Sequence, residues 1–86
     1  MQVHGGAVSG MMDTAMGMSI MAKSGRPVTT AELNVSFIRP FLGESFLIDT
    51  EILYMGRNLI RTRSTAYDEE SGKLLASATA NFAYVG

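Results

Sequence analysis

The chain has 86 residues with 7 basic and 8 acidic side chains, a formal net charge of −1, 47% hydrophobic residues and no cysteine, which fits one domain and no more. Charge this close to balance supplies no basic field for a phosphate backbone or an anionic membrane surface, so neither nucleic acid nor a membrane is an expected partner. The lack of cysteine excludes a disulfide framework, a thiolate metal ligand and a thiol nucleophile, and a single histidine, His4, excludes a multi-histidine metal site within one chain.

No apolar run reaches the roughly 18 residues of a membrane span, and the Met-rich start lacks the basic leader of a secretory signal. A cytoplasmic protein is expected by elimination. A chain of this size buries only about 60–65% of its unfolded surface, so pairing with a second copy is a natural remedy for a marginal core.

Six of the seven methionines lie in the first 21 positions, where the apolar period is that of a helix. On a wheel of about 100° per residue, Val8, Met11, Met12, Ala15, Ser19 and Ala22 share one side. Asp13 is expected on the opposite side, and Ile20 and Met21 also away from the stripe, so the helix is apolar nearly all round. Gly5 and Gly6 free the backbone at its start, and Ser24, Gly25 and Pro27 stop it.

After Arg26 the period becomes two. In Thr29–Ile38, Leu33, Val35 and Phe37 share one face and Glu32, Asn34 and Ser36 the other, until Pro40 ends the pairing. Phe46, Ile48, Thr50, Ile52 and Tyr54 then alternate with Leu47, Asp49, Glu51 and Leu53. Gly56-Arg57-Asn58 signals a turn, Leu59–Tyr67 alternates again, residues 68–72 form a polar turn, and Lys73–Val85 is a last strand with small residues on alternate positions. Short turns join antiparallel neighbours, so one helix on a four-stranded antiparallel meander, an α+β domain over residues 1–86, is expected.

His4-Gly5-Gly6 followed by Asp13 is the cluster that can carry chemistry. The first amides of a helix have no intrahelical partner and can polarise a carbonyl oxygen. A carboxylate two turns further on can act as general base on water or attack directly, while the glycines admit a thioester to the backbone. Gly10 and Gly17 flank Asp13 on its own face and leave room for a ligand or a partner chain. The plainer alternatives remain open: a solvated Asp, a simple turn at His-Gly-Gly, glycines that mark tight packing, and methionines that fill a core. Arg57, Arg61 and Arg63 are the only basic concentration, on a face opposing Asp49 and Glu51.

Residues 4–17, HGGAVSGMMDTAMG, resemble the HGG and D-x-A signature of hotdog-fold acyl-CoA thioesterases of the phenylacetate-pathway (PaaI) type. Residues 30–40, TAELNVSFIRP, then Gly43, Gly56-Arg57 and residues 72–76, GKLLA, follow the same family's pattern in order, so the resemblance spans essentially the whole chain. It implies a hotdog fold, with a long helix wrapped by a curved antiparallel sheet, and active sites at the interface of a homodimer that often pairs into a tetramer.

Carried over residue by residue, the resemblance gives Asp13 the position of the catalytic carboxylate and Gly5 that of the amide that polarises the thioester carbonyl. His4 matches the histidine that helps hold that loop, and Thr30 a strand hydroxyl that positions water from the other subunit. Gly6, Arg57 and Asn58 are expected substrate contacts, with Arg57 as the best partner for coenzyme A phosphates. The implied substrate is an acyl-CoA or aryl-CoA thioester, with no metal and no cofactor apart from the coenzyme A of the substrate. Family members usually carry a further strand and often an Asn or Gln before the HGG, whereas Met1 stands three residues before His4 here, so either a fragment or shortened relative, or a member of reduced catalytic efficiency, is expected, with one sheet edge open unless dimer packing or another strand covers it. Where an aryl-CoA subgroup has a hydroxyl one turn after the carboxylate, this chain has Gly17. A noncatalytic acyl-CoA-binding or assembly module is the rival reading, and a hotdog dehydratase, which needs a catalytic His on a different pattern, is a third.

Overall fold

Helix α1 (Gly5–Ser24) runs 20 residues without proline, and Gly25, at φ +72°, ends it by donating its amide to the Met21 carbonyl at 2.8 Å. The computed structural model describes residues 5–40 and 45–85. After α1 come β1 (Val28–Phe37), β2 (Phe46–Met55), β3 (Leu59–Asp68) and β4 (Leu74–Tyr84) in one four-stranded sheet. No helix among the described residues is long and apolar enough to cross a membrane.

The buried stripe of α1 is Val8, Met12, Met16 and Ile20, each 0% exposed. This corrects the expected face. Met11 and Ala22 are exposed, Ala15 and Ser19 only partly buried, and Ile20 lies in the core. A helix apolar on every side offers no contrast from which its period can select a face, so contact with the sheet selects it. Asp13 is likewise half-buried at the border of the stripe and not opposite to it.

Under α1 the central strands present small side chains: Thr62, Ser64 and Ala66 on β3, and Ala76, Ala78 and Ala80 on β4, all at most 2% exposed. Short residues on the sheet let the helix approach, and the flexible methionines fill the remaining space. Thr62 donates to the Ala80 carbonyl at 3.3 Å and Ser64 to the Asp49 carbonyl at 3.2 Å, so neither buried hydroxyl is left unpaired.

All strand pairs are antiparallel, but the order is β1-β4-β3-β2, which corrects the simple meander. The meander holds for β2, β3 and β4, whereas β1 pairs with β4 and leaves β1 and β2 as the two edges. Just past β1, the amides of Ile38 and Arg39 both donate to the Leu75 carbonyl, at 2.8 and 3.1 Å, and Arg39 Nη1 donates to the Leu74 carbonyl at 2.8 Å. These bonds draw the chain across the end of β4 before a hairpin can close. On the far side Ser45 hydrogen-bonds the Glu69 carboxylate at the β3–β4 turn.

Three register shifts interrupt the ladders, one of them between Ala66 and Tyr67 where β3 meets the start of β4, and the other two redirect side chains on the edge strands. Between Ile52 and Tyr54 the register shifts, so Tyr54, expected on the inner face with Ile52, stands opposite Arg61 on the outer face and is 64% exposed. Between Thr30 and Glu32 it shifts again: Thr30 pairs with Phe82, whose side chain is in the core, while Glu32 pairs with Asn81. Strict alternation from Leu33 and Val35 would turn Thr30 outward. The bulge at Ala31 turns it towards the helix.

Candidate active site

Thr30 Oγ1 donates to Asp13 Oδ1 at 2.7 Å. Asp13 lies midway along α1 and Thr30 at the third position of β1, so helix and edge strand together present a carboxylate and a hydroxyl on the open β1 flank. The bond holds one carboxylate oxygen. Asp13 Oδ2 has no partner among the described residues and can accept from a water, to which the Thr30 oxygen still offers lone pairs. The contact lies within one chain, whereas the resemblance suggested Thr30 of one subunit beside Asp13 of the other.

Gly5 is the first residue of α1 and Asp13 lies eight residues further on, about 12 Å along the axis at 1.5 Å per residue. The amides of the first turn point out of the helix end, away from Asp13. Within one chain, therefore, the Gly5 amide and the Asp13 carboxylate are not brought onto the same carbonyl group. Gly6 shares the first turn with Gly5, while His4 and Gly43 lie outside the described residues.

Gly17 stands one turn beyond Asp13 but opens no space for a partner chain. It is buried, and a Cβ there would meet Phe82 Cε2 of the same chain at 3.4 Å. Gly10 has nothing within 4 Å of such an atom. It borders a shallow apolar groove on the outer face of α1, lined by Ala7, Met11, Thr14, Ala15 and Met18.

Arg57 and Asn58 are both exposed in the β2–β3 turn, at the sheet end where Leu59 pairs with Ala83 and Ala83 in turn with Thr29 of β1. Arg61 and Arg63 sit on the outer sheet face as expected: Arg63 Nη2 pairs with Glu51 at 3.0 Å, and Arg61 Nη1 donates to Asn81 Oδ1 at 3.1 Å. Sequence reasoning missed the outward turn of Tyr54. The one available signal was Gly56, where a Cβ would fall 2.7 Å from Tyr54 Cε2 and 2.8 Å from the Leu59 carbonyl oxygen.

Several solved structures share this fold. A Bacillus halodurans protein determined with coenzyme A matches at 28% identity and a TM-score of 0.90, covering 98% of this chain and 56% of its own. A phenylacetic acid degradation-related protein from Ralstonia eutropha matches at 31% identity and 0.86, covering 98% and 63%. Zebrafish thioesterase superfamily member 2 matches at 26% and 0.89, covering 99% and 62%. The chain thus spans 56–63% of the length of these three relatives. None of the curated proteins matches. The helix wrapped by an antiparallel sheet is the hotdog fold, and with the thioesterase superfamily model matching residues 2–75, the chain belongs to the thioesterase superfamily.

Proposed function

We propose that this chain hydrolyses an acyl-CoA or aryl-CoA thioester to the free acid and coenzyme A, with Asp13 as the general base on water. The observation that carries the reading is the hydrogen bond from Thr30 to Asp13, which orients one carboxylate oxygen and leaves the other free for a water. Water attacks the thioester carbon as Asp13 takes its proton. The carbonyl oxygen becomes an oxyanion stabilised by the Gly5 amide, with Gly6 giving room at the helix start. The C–S bond then breaks, and the sulfur leaves with the proton returned by Asp13. Coenzyme A, the ligand of the Bacillus halodurans relative, is part of the substrate; Arg57 and Asn58 receive its phosphates, and no separate cofactor or metal takes part.

Because the helix start and Asp13 of one chain are about 12 Å apart, this mechanism needs two copies, with the Gly5 amide of one facing the Asp13–Thr30 pair of the other. The homodimer also covers apolar surface that one chain leaves open, since Leu33 and Val35 on β1 are only half-buried and Phe37 is 49% exposed. The test is thiol release from a panel of short acyl-, aryl- and hydroxyaryl-CoA esters. Asp13→Asn and Asp13→Ala are expected to lower turnover roughly 10²-fold or more. Unchanged turnover in Asp13→Ala overturns the assignment, and a stable, fully active monomer in light scattering overturns the shared site. The rival reading is a noncatalytic module that binds acyl-CoA or assembles without hydrolysing it. Intact thioester after long incubation, together with coenzyme A binding, decides for it.

A further inference from the structure

Phe82 is the one aromatic ring in the buried core among the described residues, at 2% exposed. Elsewhere beneath α1 the space is filled by Met12 and Met16, whose flexible side chains adapt to whatever gap the helix leaves. A phenyl ring does not adapt in this way. Its Cε2 lies 3.4 Å and its Cζ 3.9 Å from where a Cβ of Gly17 would be, so the ring tip rests under a position of α1 that carries no side chain. At Gly17 the height of the helix above the sheet is therefore set by a rigid spacer.

That spacer adjoins both halves of the Asp13–Thr30 pair. Gly17 follows Asp13 by four residues, hence by one turn along the same side of α1. Thr30 is the register partner of Phe82 across the β1–β4 ladder, and the shift at Ala31 sets its side chain on the same inner face. Facing partners of this kind hold their Cβ atoms about 5 Å apart. The helix turn from Asp13 to Gly17, the Phe82 ring and Thr30 thus form a closed circuit, and its last link is the 2.7 Å bond from Thr30 Oγ1 to Asp13 Oδ1. Movement of the helix by about 1 Å takes such a bond out of range.

We propose that Phe82 is a positioning residue for the general base: its ring, seated under Gly17, fixes the gap between α1 and β1 at which the Thr30 hydroxyl reaches the Asp13 carboxylate. The ring itself touches no reacting atom. The proposal rests on the thioesterase reading above and makes Phe82 act on turnover through Thr30, and not on substrate binding.

A double-mutant cycle on thioester hydrolysis tests it. Phe82→Ala leaves a cavity large enough to threaten folding, so Phe82→Leu, which keeps apolar bulk without the flat ring, is the variant of choice. Thr30→Val and Phe82→Leu should each lower kcat about tenfold with KM changed less than about twofold, and the double variant should also lose only about tenfold, because the second change finds the bond already lost. Leu75→Val, which removes core volume near the opposite end of β4, should leave kcat unchanged. An additive loss of about a hundredfold in the double variant, unchanged kcat in Phe82→Leu, or an equal loss in Leu75→Val overturns the role. Phe82→Met takes the place of Phe82→Leu in the cycle if the latter shows no cooperative unfolding. Should the protein hydrolyse no thioester, which counts against the thioesterase reading alone, nuclear magnetic resonance still decides. A Thr30 hydroxyl proton protected from exchange in the wild type and unprotected in Phe82→Leu supports the positioning, whereas protection that Phe82→Leu leaves intact, or none in the wild type, overturns it.

Discussion

The two central strands and the two edge strands carry similar inward alternation, yet they are covered differently. On β3 and β4 the inward residues Ile60, Thr62, Ala78 and Ala80 are at most 2% exposed. On β1 and β2 the corresponding Leu33, Val35, Ile48 and Ile52 stay half-buried. A helix about 10 Å across spans roughly two strands spaced 4.8 Å apart, so one helix finishes the centre of this sheet and leaves both flanks open. The Asp13–Thr30 pair stands on one of those flanks, where the helix leaves the sheet uncovered.

Val35 and Ala78 are register partners, one on the flank and one in the centre, and the same substitution at each separates the two regions. Ala78→Asp places a carboxylate without a partner beneath α1, at a cost of several kcal/mol, and should abolish the cooperative thermal transition. Gly17→Leu extends into the Phe82 ring from the centre of the helix and should cost about 1–3 kcal/mol, lowering Tm by about 4–8 °C per kcal/mol. That loss appears in the isolated chain at every concentration, as expected of a residue packed within its own chain. Val35→Asp should leave the far-UV spectrum folded and shift light scattering towards the monomer, with activity lost alongside. Retained dimer in that variant moves the shared surface off the β1 flank. Arg63→Ala removes an ion pair whose side chains are 48% and 60% exposed and should change stability by less than about 1 kcal/mol in a denaturant titration.

The same contrast explains which parts of the site were legible. Asp13, Gly5 and Thr30 stand at positions that a family pattern supplies, and the strand over 28–37 follows from its alternation. That Thr30 faces Asp13 does not follow from alternation. Alternation counted back from Leu33 turns Thr30 to solvent, and only the register shift at Ala31 reverses it. Nothing distinguishes Ala31 or Leu53 as bulge residues, because a bulge is decided by the partner strand and leaves no special side chain behind. The separation of Gly5 from Asp13, by contrast, was already contained in eight residues of helix, once the direction of its amides is considered.

Local chemistry settled the elements of this chain: a proline-free helix closed at Gly25, alternating strands, a turn at Gly72 where the backbone takes φ +72°, and a turn at Gly56 where a Cβ would meet Tyr54 and the Leu59 carbonyl. Tertiary structure alone decided three things. It chose the buried face of an all-round apolar helix, because only contact with the sheet distinguishes one apolar side from another. It placed β1 beside β4, because the Leu75 carbonyl that draws the chain across lies 37 residues beyond Ile38 in sequence. It brought Thr30 onto Asp13, because a register shift arises between strands and belongs to neither one alone.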